Sequence, residues 1–129
     1  MLFGLSSFAQ KNNDDKLALQ FLDDREYEKA NVYLEKLYDK APEQWFTYYY
    51  TGLTGAKEYN RAEKICRKQL KRNPQNTTLY VLIAKLYKAQ NDPKKENENY
   101  QKAIKEVMPI QTFIQSLAVA FMDEKLYDY

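Results

Sequence analysis

Histidine is missing from these 129 residues, and there is a single cysteine, Cys66. The first absence removes His-dependent triads, imidazole general bases and His-containing metal sites. The second removes any internal disulfide and any Cys-rich zinc site. Glycine and proline are also scarce, at three and four residues, which disfavours turn-rich β-sandwiches and favours long helices. No run approaches the roughly 18 apolar residues of a membrane span. Charge of one sign is lacking too, since the formal net charge is only +2, so nothing pulls strongly toward nucleic acid or anionic lipid. What remains is 44% hydrophobic and 29% charged, the balance of one ordinary globular domain. These absences point away from an enzyme and toward a helical binding module.

The first ten residues, MLFGLSSFAQ, differ from the rest. Small residues at Ser7 and Ala9 satisfy an A-x-A-like rule with cleavage before Gln10, while the apolar stretch Leu2–Leu5 is shorter than a full leader core. Residues 1–10 therefore read as the end of a signal peptide, or else as a disordered N-terminus.

Beyond them a periodic pattern emerges. An apolar residue followed six later by tyrosine occurs at Phe21/Tyr27, Leu53/Tyr59 and Phe121/Tyr127, with Tyr87/Pro93 in the same frame. The first members are spaced by 32, 34 and 34 residues. Ala30 and Ala62 keep that frame, as do Leu34, Cys66 and Tyr100 four residues after the alanine position. Small residues stand three before the aromatic at Ala18, Ala84 and Ala118, and prolines close the units at Pro42, Pro74 and Pro109. Within the first unit Leu17, Phe21 and Leu22 face Tyr27, Ala30, Leu34 and Leu37 at helical spacing. Tyr50 stands where the second unit should have its small residue, and Glu96 replaces the alanine of the third, which predicts a looser hairpin there.

Here the chain resembles the tetratricopeptide repeat family, most clearly in Leu17-Ala18-x2-Phe21…Tyr27-x2-Ala30-x3-Leu34…Pro42. The resemblance implies an all-α fold, a right-handed α-solenoid of antiparallel hairpins. It comprises about three and a half repeats, at residues 11–42, 43–76, 77–110 and a truncated 111–129. One hairpin cannot bury its apolar face alone, so stacking would supply the core. The helix expected over Ile114–Leu126 is apolar around most of its circumference, which suggests a longer parent array or self-association through this end.

Most of the conspicuous residues read as packing. In Trp45-Phe46-Thr47-Tyr48-Tyr49-Tyr50 the core stripe is expected to be Phe46, Tyr49, Tyr50 and Leu53, with Trp45 and Tyr48 turned elsewhere. Cys66 falls on a packing position, as an inert buried thiol. Asp14-Asp15 reads as the start of the first helix and Asp92-Pro93 as the start of another. The row Lys64, Arg67, Lys68, Lys71 and Arg72 reads as a solvated helix face, with docking of RNA or an acidic segment as alternatives. No catalytic, cofactor or metal residues are assigned, because phosphate-cradling loops, calcium loops and distinctive carboxylate pairs are missing.

The family resemblance further implies a partner held in a concave groove lined by the first helix of each repeat. Carried across, the groove would present Asp15 and Leu19, then Thr47, Tyr48 and Thr51, then Val81, Lys85 and Lys88. Asp15 and Leu19 stand where carboxylate-clamp members of the family carry lysine and asparagine, so that clamp is not expected. The expected function is a non-catalytic protein–protein interaction scaffold taking a peptide or partner domain, without nucleic acid or membrane insertion. A structural spacer or sensor segment of a larger envelope protein is the alternative. The leader-like N-terminus points to an exported, periplasmic or cell-envelope location, and without it to a cytoplasmic one.

Overall fold

The computed structural model describes residues 2–106 and 111–123, and these are arranged as seven helices with no strand among them. They are α1 (Leu2–Asp23), α2 (Tyr27–Lys40), α3 (Pro42–Gly55), α4 (Tyr59–Arg72), α5 (Thr78–Ala89), α6 (Pro93–Lys105) and α7 (Gln111–Asp123). Pro109 and Tyr127, two of the repeat marks, lie outside the described residues. The chain forms two compact units, residues 1–61 and 62–129.

Proline and aspartate set the helix starts. Pro42 occupies the first turn of α3, where its missing N–H costs nothing. Asp92 caps α6, its carboxylate accepting from the Lys95 backbone N–H at 3.1 Å ahead of Pro93, as the sequence predicts. Asp14-Asp15, by contrast, does not begin a helix. The helix starts at Leu2 and runs through both residues, since Leu2–Asp23 holds no proline to interrupt it.

Three helix ends share one unusual geometry. Arg25, Lys57 and Asn91 adopt left-handed backbone with φ of 58°, 61° and 57°. After each, the next N–H reaches back five residues: Glu26 to Phe21 O at 2.8 Å, Glu58 to Leu53 O at 2.8 Å and Asp92 to Tyr87 O at 2.9 Å. A second bond runs from each left-handed residue to the carbonyl three before it, at 3.0, 3.0 and 3.1 Å. This double closure is the Schellman cap, normally built on glycine. Here it recurs three times without one.

In the first unit α2 packs against α1 and α3, burying Ala18, Ala30, Leu34, Tyr38, Tyr49 and Leu53. The Tyr38 and Tyr49 rings meet at 5.4 Å between centroids. The stripe that α3 buries is Trp45, Tyr49, Gly52 and Leu53, whereas Phe46 and Tyr50 are only half-buried. That corrects the expected stripe at two positions: Trp45, expected to turn elsewhere, is buried in place of Phe46, and Gly52 in place of Tyr50.

The close approach of α2 and α3 is made at Gly52. A Cβ there would run into the Asn31 side-chain oxygen and stand 3.0 Å from Leu34 Cδ1. Asn31 is buried, and its Nδ2 donates to Gly52 O at 3.0 Å and to Glu58 Oε2 at 3.3 Å. Its Oδ1, without a hydrogen-bond partner, lies against the Gly52 Cα–H.

In the second unit α5 packs against α6 and, more lightly, α7. The core joins Val81, Ala84, Tyr100, Ala103, Leu117 and Phe121, with the Tyr100 and Phe121 rings 5.7 Å apart. The hairpin expected to be loose at Glu96 instead closes around Tyr100 and Ala103, both fully buried. On α4 the buried side chains are Ala62, Ile65, Cys66 and Gln69.

Candidate functional site

The expected groove residues fall in both units, and each unit presents its own set. In the first, α3 aims Tyr48 outward. Its ring is 43% exposed although aromatic side chains gain most by burial. It leans on the buried Trp45 ring at 5.3 Å between centroids, so it is held in place rather than free. Exposed Thr47 and Thr51 flank it. Thr51 Oγ1 donates to Thr47 O at 2.9 Å, and Thr54 Oγ1 donates to Thr51 O at 3.0 Å. Both hydroxyl hydrogens are thereby committed, and each oxygen keeps accepting capacity for an incoming N–H. On α1, Leu19 is exposed and Asp15 half-buried.

In the second unit Lys88 is exposed and Lys85 half-buried. Val81 departs from its expected place. It is 2% exposed and belongs to the core with Tyr100 and Leu117, so it offers nothing to a partner. Residues of α6 and α7 cover that part of the α5 face.

Two polar networks, one in each unit, were not anticipated. Arg61 donates to Glu58 Oε1 at 3.0 Å and to the Tyr49 hydroxyl at 2.8 Å, with Glu35 at 3.4 Å. Burial raises the Tyr49 hydroxyl above its ordinary pKa, against the pull of Arg61. The Tyr87 hydroxyl donates to Glu63 Oε1 at 2.6 Å, while Arg67 holds the other oxygen of that carboxylate at 2.7 Å. Lys95 sits 5.4 Å from the Tyr87 ring centroid. Burial, then the bond to Glu63, raises the Tyr87 hydroxyl as well. Each tyrosine is thus kept protonated and engaged, which suits tying helices together. The Glu63–Arg67 spacing of four was legible in sequence, but the reach to Tyr87 was not.

Cys66 is fully buried, and desolvation pushes its thiol up to about 12, so the thiolate a nucleophile needs is suppressed. An open cleft of about 450 Å³ lies between the α1–α2 turn and the end of α3, lined by Arg25–Lys29 and Gly55–Lys57. The Tyr27 ring lies flat on Gly55 there, its Cγ 2.5 Å from where a Cβ would stand. Lys29 is held by Glu26 at 2.8 Å, and that carboxylate leaves the α2 N-terminus without a side-chain cap. On α7, Leu117 and Phe121 are buried while Ala118, Val119 and Met122 face outward.

Among the described residues no three acidic or cysteine side chains gather as a metal-holding group. None of the described helices is long and apolar enough to cross a membrane. Comparison with protein-family models and with curated proteins gives no match to this chain.

Proposed function

We propose that the protein is a non-catalytic interaction scaffold, an α-solenoid of tetratricopeptide-like hairpins that binds a peptide or partner domain. The observation that carries this reading is Tyr48, an aromatic ring left in solvent yet braced by a buried tryptophan. Rigid aromatic anchors give binding energy at small ordering cost and dominate hot spots. The neighbouring threonines supply acceptors for backbone N–H groups, so a bound segment would be read partly through its main chain.

The test is selection of a displayed random-peptide library against the folded chain, followed by calorimetry on enriched sequences. Tyr48→Ala is expected to weaken the selected peptides about tenfold or more, about 1.4 kcal/mol, with circular dichroism showing the helical fold kept. Failure to enrich any sequence, or binding indifferent to Tyr48→Ala, would remove the basis of the proposal.

A further inference from the structure

We propose that the outward face of α4 is a second docking surface, complementary to an acidic protein segment. Lys64, Arg67, Lys68, Lys71 and Arg72 are all exposed, and they lie opposite the buried Ala62, Ile65, Cys66 and Gln69. Among them only Arg67 is neutralised, by Glu63 at 2.7 Å. Within the described residues no carboxylate stands in ion-pair range of Lys64, Lys68, Lys71 or Arg72. Four cations without a carboxylate partner among the described residues therefore stand within nine residues.

Their spacing works against the helix. Lys64/Lys68, Lys68/Arg72 and Arg67/Lys71 are like charges one turn apart, each mildly destabilising. The helix dipole offsets this for Lys71 and Arg72 in the last turn, but not for Lys64. An anionic occupant would turn that repulsion into attraction.

The chemistry of the face selects the class of anion. Lys64 to Arg72 covers about 12 Å along the axis, at about 6 Å per i,i+4 step. Glutamates at the same spacing on a partner helix present a matching ladder. An aromatic platform, on which single-stranded nucleic acid would stack, is missing between Lys64 and Arg72. The face also has no exposed apolar side chain to enter a lipid interface, since Ile65 is buried and Leu70 half-buried.

The experiment uses the full chain and a fluorescein-labelled oligoglutamate of about twelve residues, read by anisotropy. Binding that weakens as salt rises is expected. Lys64→Gln/Lys68→Gln/Lys71→Gln should weaken it about tenfold or more. The control Lys94→Gln/Lys102→Gln/Lys105→Gln removes the same charge from exposed positions of α6 and should change it less than about twofold. Circular dichroism checks that both variants fold. Tyr48→Ala should leave oligoglutamate binding unchanged, which separates this surface from the peptide site proposed above. An equal loss in both triple variants would overturn the proposal, as would no binding. Tighter binding to oligouridylate or to phosphatidylserine vesicles would overturn it in favour of that other anion.

Discussion

Gly52 does at the scale of one residue what alanines do elsewhere in the packing: it removes a side chain so that two helices can meet. The obstacle a larger residue would face is the amide of Asn31, itself bonded to the Gly52 carbonyl at 3.0 Å. Gly52→Ala should therefore cost about 1–3 kcal/mol by overpacking, despite alanine's better helix propensity. With Asn31→Ala in place, most of that cost should vanish, leaving only the contact with Leu34 Cδ1 to relax. Urea unfolding of the four members of this cycle measures the coupling. Equal costs in both backgrounds would show that Asn31 is not the obstacle. The sequence drew attention to Tyr50 as the missing small residue, and the structure makes its close approach two positions later.

At the scale of the element, the repeated signature is in the backbone as much as in the side chains. Arg25, Lys57 and Asn91 hold the left-handed cap position 32 and 34 residues apart, with matching hydrogen bonds. An L-residue there costs roughly 1–2 kcal/mol, part of which glycine loses again through its freer unfolded chain. Arg25→Gly and Lys57→Gly should each stabilise the protein by about 0.5–1 kcal/mol, and Asn91→Gly by less, because asparagine tolerates this conformation best. Denaturant midpoints moving upward in that order are the expected result. A loss of stability at Arg25→Gly would mean that the arginine side chain contributes more than its backbone costs.

For the whole molecule, the lack of histidine shapes the response to pH. No side chain of ordinary pKa titrates between about pH 5 and 8, so stability should be level there. Above that range Cys66, Tyr49 and Tyr87 act in the same direction, each raised by burial. A raised acid holds its proton more tightly folded than unfolded, so its contribution is complete below the unfolded pKa and lost as pH climbs toward the folded one. For Cys66 that window runs from 9.0 to about 12, at about 1.4 kcal/mol per pH unit. Urea unfolding at stepwise pH should show stability falling across that window, with a shallower fall in Cys66→Ala. Identical slopes would contradict the burial argument.

Spacing alone was enough to read helices, the alternation of their starts and ends, and the burial of Ala18, Ala30, Ala62, Ala84 and Cys66. Those features follow from local rules, the 3.6-residue turn, proline's missing N–H and the aspartate cap, which need no knowledge of neighbours. The run of α1 through Asp14-Asp15 escaped because a favoured starting residue does not forbid helix before it. The impossibility of turning six consecutive residues one way gave Tyr48 as outward-facing, but it gave Trp45 as well, and Trp45 is buried. The burial of Val81, the seat of Asn31 against Gly52 and the reach of Tyr87 to Glu63 were settled only by tertiary packing. Periodicity tells which residues share a face, but which faces are covered depends on helices distant in the chain, and only folding brings those together.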